Sequence, residues 1–146
     1  MRNNRGFTLI EIIAVLAILS VLVIIAIPKF IKVDDRAEEV ALEMGVQELN
    51  GREKMIWTNG KIGFDRSEED FDIPVWTRMT LNLDIGYKYD LTGTDSSGGN
   101  LRFGSRSVSL ERKPATLKHP GIWGGTDSKG RKYGWHKNPN NPHYIE

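Results

Sequence analysis

The chain has 146 residues, 20 Lys and Arg against 19 Asp and Glu, no cysteine, and 39% hydrophobic residues. That is material for one domain, and the absence of cysteine excludes a disulfide-stapled module. The 27% charged residues would suit an ordinary soluble globule, but the apolar residues are too unevenly placed for an average to describe the chain.

Between Phe7 and Ile27 the only polar side chains are Thr8, Glu11 and Ser20. As a helix this stretch measures roughly 30 Å, the hydrocarbon thickness of a bilayer. A helix in a soluble core is rarely apolar on all sides, so residues 7–27 read as a membrane span. Arg2 and Arg5 stand just before it. The positive-inside rule therefore keeps residues 1–6 in the cytoplasm and sends everything after Pro28 across the membrane. A secretory signal peptide has an apolar core of about 7 to 15 residues and a small-residue cleavage site. This run is longer and ends in Ile27-Pro28-Lys29.

Glu11 is out of place in an apolar helix, because an acid at a helix centre costs about 2.5 to 3.5 kcal/mol and even a shallower one is unfavourable unless paired. A plain signal anchor gives no reason for it. A cut between Gly6 and Phe7 would supply a partner, by creating a charged α-amino group close to Glu11 in depth.

The run Arg5-Gly6-Phe7-Thr8-Leu9-Ile10-Glu11, followed by apolar residues and Ala26-Ile27-Pro28, resembles the N-terminus of bacterial type IV pilins and type II secretion pseudopilins. The resemblance covers about the first 30 residues. It implies that a prepilin peptidase cuts after Gly6 and N-methylates Phe7. It also implies that Glu11 meets the terminal amine of a neighbouring subunit while an inner-membrane assembly platform extracts the chain from membrane lipid into a filament. Such a pair works best as a register device, since desolvation offsets much of the attraction. Pro28 lacks an N–H and removes the bond to the Ile24 carbonyl, so a kink is expected there. The resemblance adds that the stretch before this proline can unwind in a fibre.

After Pro28, Val33, Ala37, Val40, Ala41 and Met44 recur at helical spacing, with Met55 and Ile56 further on. The membrane helix is expected to continue as an amphipathic one over 28–59, ending near Trp57 with Thr58-Asn59-Gly60 as its cap. Gly45 and Gly51 either weaken it or mark close approach of another segment. Asp35, Glu39 and Glu43 stand four apart and form an acidic ridge. That ridge reads either as a solvated face or as a contact with the basic C-terminal region of an adjacent copy, where residues 100–146 hold 9 Lys and Arg against 3 acids.

Residues 60–146 are expected to form an extracytoplasmic globular part. Ser67-Glu68-Glu69-Asp70 resembles a weak helix start before Pro74. Strands are expected at 86–91, 101–103 and 107–111, with a turn over 94–100 and a hairpin at Gly104-Ser105. So small a sheet needs cover, expected from Val40, Met44 and Ile56 of the helix. The predicted class is α+β, a long helix on a small antiparallel sheet in a pilin-like lollipop. From Pro114 onward four prolines and five glycines among 33 residues predict loops without further regular structure.

No enzymatic motif occurs, and an enzyme is not expected. His119, His136 and His143 match no ligand spacing and read as surface residues. The major pseudopilins of the resembling family carry calcium in a C-terminal loop. Here Asp127 is the only acid between Gly121 and Ile145, whereas calcium takes six to eight oxygens with several carboxylates among them; backbone carbonyls could contribute, so calcium stays as the disfavoured alternative and no cofactor is expected. The tail interleaves Lys129, Arg131 and Lys132 with Tyr133 and Trp135, a composition that could engage DNA phosphates and stack bases. Packing of these aromatics on the sheet is the favoured alternative. The preferred function is a structural subunit that polymerises with identical or related pilins, as a surface pilus or a periplasmic pseudopilus. Its competitors are a DNA-binding tip subunit and a membrane-anchored domain that never polymerises.

Overall fold

A computed structural model describes residues 7–63, 71–81, 83–86 and 88–140. Helix α1 spans Leu9–Gly63 and α2 Asp72–Thr80. Five strands follow: β1 Tyr89–Asp95, β2 Gly98–Phe103, β3 Arg106–Lys113, β4 Ile122–Asp127 and β5 Lys132–Gly134, then a 3-10 turn at Trp135–Lys137. The chain divides into two compact units, Met1–Ala37 and Glu38–Glu146.

The described part of the first unit consists mainly of the N-terminal stretch of α1. Its large apolar side chains from Phe7 to Val33 are exposed among the described residues. Ser20 satisfies its hydroxyl locally, donating to the carbonyls of Leu16 and Ala17 at 3.0 and 2.8 Å. Pro28 lies inside α1, which continues through it.

In the second unit, α1 packs on a five-stranded antiparallel sheet in sequence order β1-β2-β3-β4-β5, giving the expected α+β class. The β3 strand alternates buried and exposed residues along its length, because successive side chains of a strand point to opposite faces. Leu101, Val108, Leu110, Trp123 and Tyr133 of the sheet close on Leu42, Val46 and Leu49 of α1 and Met79 of α2. A smaller cluster of Phe71, Val75 and Ala115 includes half-buried Trp57, whose indole N–H donates to the Thr116 carbonyl at 2.7 Å. Asn50 holds the start of β4 from the helix: its Oδ1 accepts the Trp123 N–H at 2.6 Å and its Nδ2 donates to the Trp123 carbonyl at 3.0 Å.

Several expectations change. The helix face on the sheet is Leu42, Gly45, Val46, Leu49, Glu53 and Gly60, with Ile56 beside it; Val40 and Met44 are 47% and 62% exposed. Spacing alone located the wrong stripe, since at 100° per residue Val40 and Met44 lie about 160° from the centre of the buried face. Gly45 marks a close approach, as a Cβ there would come within 2.9 Å of the Tyr89 ring, whereas Gly51 has open space around it. The helix also runs past Trp57 and Gly60 to Gly63. Thr58 turns its hydroxyl inward to the Lys54 carbonyl at 2.8 Å and Gly60 keeps a helical rather than left-handed backbone, so no cap forms there.

The turn expected over 94–100 tightens to Ser96-Ser97 between longer strands, and the Gly104-Ser105 hairpin forms with Gly104 at φ +59°. The tail is not all loop: it supplies β4 and β5. Gly124 and Gly125 belong to a strand because neighbours come too close for a side chain. A Cβ on Gly125 would overlap the Ser109 carbonyl, and one on Gly124 the Trp135 ring. Ser67–Asp70 lie outside the described residues; α2 begins at Asp72 with Pro74 in its first turn, where a missing N–H is tolerated.

Candidate functional site

The N-terminus of α1 is built by a reciprocal cap. The Thr8 N–H and hydroxyl both donate to Glu11 Oε2, at 3.1 and 3.2 Å, and the Glu11 N–H donates to Thr8 Oγ1 at 3.3 Å. This is a capping box, in which the N-cap hydroxyl and the acid three residues on satisfy donors that the helix leaves open. Glu11 thus has a local role besides the charge role that its position suggests. The Thr8-x-x-Glu11 spacing is the sequence mark of such a box. Phe7, just before the cap, is 82% exposed, and Gly6 lies outside the described residues.

In the second unit the acids of α1 find basic partners in their own chain. Glu38 holds the β2–β3 hairpin, accepting the Ser105 N–H at 3.0 Å and hydroxyl at 2.8 Å and facing Arg106 at 3.5 Å. Glu39 pairs with Arg131 at 2.9 Å and Glu43 with Lys137 at 2.9 Å. Asp35, the first residue of the ridge, belongs to the other unit. The ridge is therefore neither a plain solvated face nor wholly reserved for a neighbouring copy.

The basic tail follows the same logic. Arg131 is engaged by Glu39 and Asp127, and the Lys113 ammonium sits 4.6 Å from the centre of the Trp135 ring. Trp123 and Tyr133 are core residues. Lys129 and Lys132 are exposed, but the aromatic surfaces that would stack bases are largely taken up by packing. Asp127 carries four hydrogen bonds, from the Lys129 and Arg131 N–H groups, Arg131 Nε and the Tyr133 hydroxyl. Burial pushes its carboxyl up, yet these donors and the Arg131 charge outweigh that and hold it below the ordinary carboxylate range. Burial and the bond to Asp127 push the Tyr133 phenol up to about 12. His136 contacts Glu111 at 3.2 Å and Thr126 at 3.3 Å, His119 lines a surface cleft with Lys54 and Lys137, and His143 lies outside the described residues. Among the described residues no three His, Asp or Glu side chains converge as metal ligands.

A buried ion network escaped the sequence reading. Arg112 donates from Nε and Nη2 to Glu53 at 3.0 and 2.5 Å and from Nη1 and Nη2 to Asp72 at 2.9 and 2.6 Å. Nη1 also reaches the Ser96 carbonyl at 3.1 Å, and the Trp123 indole N–H donates to Glu53 at 3.0 Å. One guanidinium thus fastens α1, α2, β3 and the β1–β2 turn. Burial alone would lower its pKa, but Asp72 and Glu53 more than compensate and raise it. A signal existed: Arg112 continues the inward alternation of Val108 and Leu110, and Glu53 lies four residues after Leu49 on the buried face.

Residues 1–27 match the family described as the prokaryotic N-terminal methylation motif, the signature of type IV prepilins and pseudopilins. No curated protein and no solved structure matches the chain.

Proposed function

We propose that this chain is a pilin-like structural subunit. It is held in the inner membrane by residues 7–27, cut between Gly6 and Phe7 by a prepilin peptidase, methylated on Phe7, and polymerised through α1 into an extracytoplasmic filament. The observation that carries this reading is the methylation motif over residues 1–27. A helix long and apolar enough to cross a membrane, with none of its apolar window buried, supports it, because such a surface requires lipid or other apolar helices. In the second unit Val40, Met44, Met55 and Ile62 are exposed on α1, on the side away from the sheet. That stripe is apolar surface available to neighbouring subunits. The reading makes the protein a scaffold rather than an enzyme, and its partners are other pilin-type chains.

The test is Glu11→Gln in a host that carries a prepilin peptidase and an assembly platform. The expected outcome is normal membrane insertion and a mature chain beginning at methylated Phe7 by mass spectrometry, with filament yield in the sheared fraction down at least tenfold. Wild-type protein that keeps its first six residues, or undiminished filaments from the variant, would reject the proposal.

A further inference from the structure

The resemblance raises calcium in the C-terminal loop, and the donor set there can be tested. Calcium takes six to eight oxygens at about 2.3–2.6 Å, several from carboxylates. The turn between β4 and β5 has one carboxylate, Asp127, which is 8% exposed. Its Oδ1 accepts the N–H groups of Lys129 and Arg131, both at 2.9 Å. Its Oδ2 accepts Arg131 Nε at 3.0 Å and the Tyr133 hydroxyl at 3.1 Å. The carboxylate of Glu39 that faces this turn from α1 accepts Arg131 Nη1 at 2.9 Å. A cation already stands between the two acids, and the oxygens a metal would need point at donors. The residues present do not fit calcium.

We infer that the Arg131 guanidinium occupies the part a divalent cation would play, bridging Asp127 of the β4–β5 turn to Glu39 of α1, so that this domain is held together without calcium. The chemistry differs from metal bridging in a measurable way. A bound metal stabilises by mass action and can be stripped by a chelator, whereas a guanidinium on the chain has no concentration dependence. Its planar fork also matches carboxylate geometry, with separate N–H groups for each acid. Because Asp127 and Tyr133 are buried, loss of the guanidinium would leave a desolvated anion without its counter-charge. The inference stands on the second unit alone and does not depend on filament formation.

The experiment uses the full chain in detergent micelles. Unfolding is followed by tryptophan fluorescence, since Trp57, Trp76, Trp123 and Trp135 all lie in the second unit. At fixed ionic strength the wild-type midpoint is expected to be the same in EDTA and in millimolar calcium chloride. Arg131→Gln should lower it by several degrees and Arg131→Lys, which keeps the charge, by less. Arg131→Gln combined with Asp127→Asn should recover part of the loss, because no buried anion is left unmatched. A wild-type midpoint that rises with calcium or falls with EDTA overturns the inference, as does an Arg131→Gln midpoint equal to wild type. If the double substitution recovers nothing, Arg131 is not the counter-charge of Asp127, and the inference fails on that result too.

Discussion

Arg112 shows how much one side chain can decide. Its side chain and that of Glu53 are both fully buried, and a buried pair of this kind adds little net stability over an apolar pair while being costly to break from one side. Arg112→Leu should therefore cost about 3–5 kcal/mol in chemical denaturation, and adding Glu53→Met should return only part of it, because Asp72 and the Trp123 indole N–H also lose partners; a single substitution costing under about 1 kcal/mol would mean the network does not hold the fold. The Asp127–Tyr133 bond makes a second residue-level prediction. The Asp127 carboxyl is depressed, so its contribution is present above the ordinary carboxylate pKa, about 4, and disappears as the pH falls through the depressed value. The Tyr133 phenol is raised to about 12, so its contribution is complete below the ordinary tyrosine pKa of about 10 and is lost as the pH climbs towards 12. Tyr133→Phe should flatten the alkaline loss of stability between these limits. An identical alkaline profile in the variant would remove the assignment. None of these partners is adjacent in sequence, and only their inward alternation and helical spacing hinted at them.

The elements were partly legible. The type and continuity of α1, the Gly104-Ser105 hairpin and the third strand follow from local chemistry: the apolar run and helical spacing, a glycine at φ +59°, and strict alternation from Val108 to Arg112. The face of α1 was not legible, because two stripes run along it in the second unit. One carries Leu42, Val46 and Leu49 and is interrupted by Gly45 and Glu53; the other carries Val40, Met44 and Met55. Periodicity reports that a helix has an apolar side, but says nothing about which partner covers it. The exposed stripe gives an element-scale prediction. Met44→Glu or Met55→Glu should leave the unfolding midpoint nearly unchanged, since exposed substitutions usually alter stability by less than about 0.5 kcal/mol, while removing sheared filaments. Full filament yield from both variants would exclude that stripe as a contact between subunits. Strands β4 and β5 were missed because Gly124 and Gly125 read locally as loop residues. In the sheet they are forced by crowding from Ser109 and Trp135, a tertiary condition that composition does not contain.

At the scale of the whole molecule, the two units carry different surfaces. The first exposes apolar side chains from Phe7 to Val33, which water penalises and lipid or packed helices accept; the second buries its own core. Part of the charge asymmetry of the chain is met inside the second unit, where Glu38, Glu39 and Glu43 face Arg106, Arg131 and Lys137. The sequence by itself determined the membrane span, the processing motif, the Glu11 position and the α+β class, because each depends on residues near one another along the chain and on burial that one element can express alone. Only the tertiary structure decided which stripe of α1 is covered, that the glycine-rich tail becomes strands, and that Arg112 and Arg131 are internal counter-ions. Those outcomes depend on pairs such as Glu53 with Arg112 and Glu39 with Arg131, which lie 59 and 92 residues apart, and a charge carries no local mark of the partner that will desolvate with it.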